Sequence, residues 1–210
     1  MTAPIIKLSQ LGAASALTGS EALPVVQGGV TKKTTAADLL PVPVQKFVFN
    51  TANVTQPAAG EMAWNADDDT VDIGLPGGVT LQLGQEMLMH VKATSAITNG
   101  QCIMATGADG NSGRINAAPA NGSGAVSGIF IVGVATMNIA ANQIGFVTTF
   151  GVVRNVNTSG STVSETWLDG DVLYPHPTIL GGLTKGAHTL DIPVALVLKA
   201  SNNGSLFVRR

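Results

Sequence analysis

The apolar segments of this chain are short, and a residue that favours turns ends almost every one of them. Runs of Val, Ile, Thr and Phe alternate with Gly, Asn, Asp and Ser along most of the sequence. Such runs predict short β-strands joined by tight turns. The expected fold class is mainly β, with a small N-terminal helix-hairpin anchor, a short β-meander shaft and a C-terminal antiparallel β barrel or sandwich.

Residues 1–42 are predicted to form a separate N-terminal module. Residues 8–17 predict a helix, residues 23–34 predict a hairpin that turns at Gly28-Gly29, and residues 35–40 predict a capped helical turn. Because a unit this small cannot bury a core of its own, we expect it to dock on another surface. The candidate residues for attachment and the oligomer interface are Leu23, Val25, Val26, Val30 and Leu39.

Two further domains follow the stiff Pro41-Val42-Pro43 segment. Residues 43–84 predict four strands of about four residues each, which we interpret as a thin β shaft completed by neighbouring copies. Residues 85–210 predict a larger β domain in which apolar and polar residues alternate. Within that domain, residues 107–128 are rich in Gly, Ala, Asn and Ser, and they predict an exposed, mobile excursion.

Charge and hydropathy exclude several classes of protein. The chain has 210 residues, only 11% of them charged, and a formal net charge of -2. We therefore expect no nucleic-acid partner, because no basic surface is available for a phosphate backbone. Its longest apolar runs are far shorter than the roughly 18 residues of a membrane-spanning helix, and no signal peptide is visible, so we expect no membrane partner. Cys102 is the single cysteine and is predicted to be a small buried hydrophobe.

Few residues are candidates for metal binding or catalysis. Asp67, Asp68 and Asp69, with Asp72 close by, fit a calcium site or a solvated turn, and the turn is the favoured interpretation. The sequence leaves open whether these carboxylates bind an ion. His90 is predicted to be a surface or interface ring, not a ligand. We expect no metal and no cofactor.

A second acidic group surrounds a tryptophan in the segment SETWLDGD. If Glu165, Asp169 and Asp171 converged in one pocket beside Trp167, they would suggest an enzyme acting on carbohydrate or peptide bonds. The favoured interpretation is that Trp167 packs on the β domain while the acids form a turn. We therefore expect no enzymatic activity and no catalytic residues.

Two segments resemble a known kind of protein. ASALTGSEALPVVQGGVTKKTTAADL (residues 14–39) resembles the N-terminal module of tailed-bacteriophage virion appendage proteins. GEMAWNADDDTVDIGLPGGVTLQLGQE (residues 60–86) is similar to the short β repeats of their fibres. The resemblance implies a structural protein in which residues 1–42 form a virion-anchoring module, and no catalytic motif is carried over from it.

The function implied by this resemblance is a trimeric capsid decoration or head fibre protein exposed on the particle surface. The implied partners are further copies of the chain, in a homotrimer, and the major capsid protein or other virion or tail proteins. The implied location is the virion surface, after synthesis in the cytoplasm of the host bacterium. One alternative is a short tail fibre or adaptor that contacts a host receptor such as a surface glycan. A carbohydrate-active enzyme and a soluble binding module of cellular origin are further alternatives.

Overall fold

A computed structural model describes residues 22–35, 48–51, 56–124 and 130–209, with the backbone alone for 22–27 and 32–35. The chain divides into two compact units, Met1–Val48 and Phe49–Arg210. The described residues are mainly β, as predicted. Their single helical element is a 3₁₀ turn at Ser161–Val163, and they include no helix that could span a membrane.

The described part of the first unit is a hairpin of β1 (Ala22–Gln27) and β2 (Val30–Thr35). Gly28 and Gly29 have φ angles of 61° and 75°, which lets two residues close the turn between twisted strands. The predicted hairpin is therefore confirmed. The predicted helix at 8–17 and nearly all of the helical turn at 35–40 lie outside the described residues, and Thr35, its predicted cap, belongs to β2.

The second unit contains a small antiparallel meander, which confirms three of the four short strands predicted before residue 84. Its strands are β3 (Met62–Asn65), β4 (Thr70–Leu75) and β5 (Val79–Gln82). The first predicted strand, at residues 45–49, lies mostly outside the described residues, and the described residues 48 and 49 are not in a strand. The meander buries polar side chains, including Thr70, Asp72 and Gln82, on one face.

A nine-stranded sheet forms the rest of this unit. Its strands are β6 (Met87–Ala93), β7 (Cys102–Asp109), β8 (Arg114–Pro119), β9 (Ile131–Ala135), β10 (Ile144–Val156), β11 (Val172–Pro175), β12 (Leu183–Thr184), β13 (Ala195–Lys199) and β14 (Gly204–Arg209).

Five of these strands close a barrel in the order β10-β6-β8-β7-β9, because β9 also pairs with β10. Val91, Ile103, Ala117, Val132 and Val147 belong to a single core cluster with one contribution from each barrel strand, so this cluster fills the barrel. The prediction of an antiparallel barrel was wrong in one place, since β6 and β8 are parallel. The reason is topological: the β7–β8 hairpin folds so that β8 lies between β6 and β7.

The second half of β10 leaves the barrel and continues into a sheet with β14, β13, β11 and β12. This sheet encloses a second core with the outer sides of β7 and β9, and that core contains Cys102, Val134, Val153, Leu206 and others. All five residues of β9 are buried because the strand has a core on each side. Cys102 is fully buried, as predicted.

The predicted mobile excursion at 107–128 was wrong over much of its length. Strand β7 continues to Asp109, and β8 adds Arg114–Pro119 to the barrel. Ala117 is fully buried inside the barrel and Ala120 is buried in the second core. Small methyl side chains suit the narrow interior of a five-stranded barrel, so a segment with little apolar area still forms a core strand. Residues 125–129 of this segment lie outside the described part.

Candidate interaction surface

The acidic cluster forms a hydrogen-bonded turn, in agreement with the favoured interpretation. The side-chain oxygen of Asn65 accepts hydrogen bonds from the backbone amides of Asp67 and Asp68, at 3.0 and 3.2 Å. The Asn65 amide in turn donates to the carboxylate of Asp72 at 3.0 Å. Within residues 22–35, 48–51, 56–124 and 130–209, no group of three or more His, Cys, Asp or Glu side chains could hold a metal ion.

An ion pair connects the meander to the second half of β10, beyond the barrel. Arg154 of β10 donates one hydrogen bond to Glu86 at 2.7 Å and one to the side-chain oxygen of Gln82 at 2.6 Å. Gln82 then donates to Asp68 at 2.6 Å, so the acidic turn belongs to the same network. Burial raises the pKa of Glu86 above its ordinary value, although the hydrogen bond and charge of Arg154 act to lower it. We call this network the Arg154 clamp.

The three carboxylates near Trp167 do not converge on one pocket. Glu165 accepts hydrogen bonds from the indole of Trp167 at 2.6 Å, from the hydroxyl of Thr184 and from two backbone amides. Asp169 accepts one from the backbone amide of Ala200 at 2.7 Å. Asp171 accepts one from the amide of Leu168 at 2.7 Å and forms an ion pair with Lys185 at 2.8 Å. Asp169 therefore holds the loop at Ala200, whereas Glu165 and Asp171 both bind Lys185, the first through its backbone amide and the second through its side chain.

These hydrogen bonds also set the ionisation of Glu165. Burial alone would raise the pKa of Glu165, but the bonds from Thr184, Trp167 and the amides of Lys185 and Gly186 outweigh it and lower that pKa. A cavity of about 260 Å³ is lined in part by Trp167, and its described lining is apolar, hydroxyl and amide in character. The described lining of this cavity offers no acid and no base for catalysis.

The histidines are also dispersed. His90 is exposed on β6 and stacks on Phe146 at 4.5 Å, as predicted for a surface ring. His188 stacks on Tyr174 at 3.8 Å, while His176 accepts hydrogen bonds from the backbone amides of its own loop. Among the described residues, none of the three belongs to a group of three or more His, Cys, Asp or Glu side chains that could hold a metal ion.

The most distinctive surface is an apolar face on the outside of the nine-stranded sheet. Val172, Leu196 and Phe207 lie side by side across β11, β13 and β14, because Val172 pairs with Leu196 and Leu196 pairs with Phe207. Phe150 of β10 makes an edge-to-face contact with Phe207 at 5.4 Å, and Met87 of β6 pairs with Phe150. We call these five residues the outer apolar face.

Side chains on this face remain accessible although both cores of the unit are filled. Met87 is 64% exposed, Val172 41% and Phe150 37%. A shallow groove of about 330 Å³ lies over Val172, Leu196 and Phe207, and Arg209 is the single charged residue in its described lining. Contiguous apolar patches of this kind mark interaction sites on soluble domains.

Residues of the predicted attachment and oligomer interface fall in the first unit. Leu23, Val25 and Val26 are in β1, Val30 begins β2 and is exposed, and Leu39 lies outside the described residues. Their role stays a prediction. The outer apolar face was missed, because its residues are scattered from 87 to 207 and only the strand register brings them together.

No family model, no curated protein and no solved structure matches this chain.

Proposed function

We propose that this chain is a non-enzymatic structural protein of a tailed-bacteriophage particle, a trimeric head decoration or head fibre protein exposed on the particle surface. The observation that carries the assembly part of the proposal is the outer apolar face. A unit with two filled cores that still exposes Met87, Phe150 and Val172 is suited to packing against another protein.

Two further observations support a structural role. The carboxylates with the best placement for catalysis, at 165, 169 and 171, each bind loop groups instead of facing the cavity beside Trp167. The assignment to a phage particle rests on the sequence similarity of residues 14–39 and 60–86 to virion appendage proteins. In this proposal the N-terminal module attaches the protein to the particle and the β domain faces outward.

The test is to image intact particles with the full chain labelled by an antibody fragment. We expect label on the head at regular positions. Label on the tail would replace the head assignment by a short tail fibre or adaptor that contacts the host receptor. Particles that form normally and carry no label would refute the virion assignment altogether.

Attachment through the N-terminal module is tested with a point variant of the full chain. Val26→Lys should abolish binding to particles that lack the protein, because a lysine at the docked surface would have to be desolvated. Leu180→Lys is the control, because it places the same charge on an exposed loop of the second unit, outside the hairpin. Equal binding by both variants and the unmodified chain would place the attachment site elsewhere.

A further inference from the structure

The outer apolar face has two parts of complementary shape. Met87 projects from β6 as a flexible, 64% exposed side chain. The groove over Val172, Leu196 and Phe207 is apolar and has a volume of about 330 Å³, which is ample for one unbranched side chain. A thioether beside an aromatic ring is a favourable contact, so the ring of Phe207 suits a methionine.

Met87 cannot fill the groove of its own chain. Strand β10 lies between β6 and β14, and Phe150 and its edge-to-face partner Phe207 occupy the space between the two parts. Neighbouring strands are about 4.8 Å apart, so the groove begins roughly 10 Å from β6, beyond the reach of a methionine side chain. Both parts therefore remain accessible in a single copy.

We infer that the outer apolar face is the surface through which copies of this chain associate, with Met87 of each copy seated in the Val172–Leu196–Phe207 groove of another. This inference rests on the assembly part of the proposed function and names its contact surface. Each chain carries both the projecting Met87 and the groove, so in a two-fold pair or a closed ring every Met87 is seated and every groove is filled. An unrelated partner would have to supply both shapes.

Area and charge agree with a contact between copies. The exposed parts of Met87, Phe150 and Val172 amount to roughly 280 Å², taking about 200 Å² for a whole large side chain. A standard interface buries about 800 Å² per partner, about 65% of it apolar in homodimers, so these three side chains supply about half of the apolar part. The charged residue at the groove, Arg209, is exposed, so its guanidinium can stay in water at the rim.

The experiment measures the mass of the full chain in solution by light scattering over a range of concentrations. We expect an oligomer for the unmodified chain, and a roughly 10- to 100-fold weaker association for Met87→Glu and for Leu196→Lys. The matched control is Leu180→Lys, because Leu180 is 60% exposed in a loop outside this face. Circular dichroism of each variant establishes that it is folded.

The outcomes separate this inference from the proposed function. A stable oligomer that both face variants leave intact would refute the inference and keep the assembly proposal, with the N-terminal module as the remaining interface. A monomeric unmodified chain at every concentration would overturn both, and would mean that the face is covered within one chain or by a different protein. Loss of association in Leu180→Lys as well would show that the effect is not specific to the face.

A cross-linking experiment tests the seating directly. Cys102 is fully buried, so introduced surface cysteines are the thiols that react. A mixture of Met87→Cys chains and Val172→Cys chains should form a mixed disulfide dimer under mild oxidation. A mixture of Met87→Cys and Leu180→Cys chains is the control, and equal yields from the two mixtures would refute the seating of Met87 in the groove.

Discussion

Removal of the cation from the Arg154 clamp should destabilise the protein in a pH-dependent way. Glu86 has a side chain only 2% exposed, and in Arg154→Met its remaining partners would be neutral backbone groups, the amide of Gln82 at 3.2 Å and the backbone of Val152. Breaking a buried ion pair by removing one partner costs about 3–5 kcal/mol. The Arg154 side chain is 40% exposed and partly screened by water, so we expect a loss of about 2 kcal/mol in the free energy of unfolding at pH 7.

The pH dependence follows from the raised pKa of Glu86. A carboxyl group with a higher pKa in the folded state binds its proton more tightly there, so its contribution is most favourable below the ordinary value of 4.5 and declines as pH rises through the folded-state value. Without Arg154 that pKa rises further, because the guanidinium no longer lowers it. The cost of Arg154→Met should therefore be much smaller at pH 4.5 than at pH 7.

Urea unfolding followed by the fluorescence of Trp64 and Trp167 measures both free energies. In the double variant Arg154→Met with Glu86→Gln, about 1 kcal/mol of the lost free energy of unfolding should be recovered at pH 7, since a neutral amide costs less to bury than a charge. The control is Lys199→Met, which removes an exposed cation from β13 and should change stability by less than about 0.5 kcal/mol. An equal loss from Arg154→Met at both pH values would refute this account of Glu86.

Two further variants test the barrel seam and the loop anchor. Gly133→Ala should lower the free energy of unfolding in urea by about 3 kcal/mol or more, because a β-carbon there would collide with the backbone carbonyl of Thr148 where β9 closes on β10. The control is Gly110→Ala, which should be nearly neutral because the space around Gly110 is open. Equal effects of the two substitutions would contradict the steric argument. Glu165→Gln should lower thermal stability by the equivalent of about 1–2 kcal/mol at pH 7, since an amide accepts fewer of its hydrogen bonds. Because the pKa of Glu165 is lowered, its contribution to the stability of the folded state is present above about pH 4.5 and is lost as pH falls through the folded-state pKa. A decrease in melting temperature that is as large at pH 3 as at pH 7 would contradict this role.

Local signals predicted the strands well and their arrangement less well. The Gly28-Gly29 turn predicted a hairpin because two positive φ angles are needed there, and the alternation of apolar and polar residues predicted a β domain after residue 85. Strand β8 was missed because Ala117 carries little apolar area, and its fit depends on the width of a barrel that no local pattern describes. The parallel pairing of β6 and β8 is likewise a property of the whole topology.

The candidate surface was harder to predict than the fold. Residues such as Phe150 and Phe207 are 57 positions apart, and they meet because β10 pairs with β14 in one particular register. Apolar residues scattered along a sequence give no indication of whether they will form a core or a surface. By contrast, the turn at Asp67–Asp69 could be predicted from residue types alone, because Asn65 caps it locally.

The position of β14 has a consequence for how this protein is made. Gly204–Arg209 pairs with β10 on one side and β13 on the other, so a strand translated after every other described strand occupies the middle of a sheet. Until it leaves the ribosome, the second core lacks Leu206 and Val208, and the pairing of segments so distant in sequence favours slow folding. Chains interrupted even a few residues before Gly204 should stay incompletely folded, so that the sheet which carries the outer apolar face forms only once synthesis has passed Arg209.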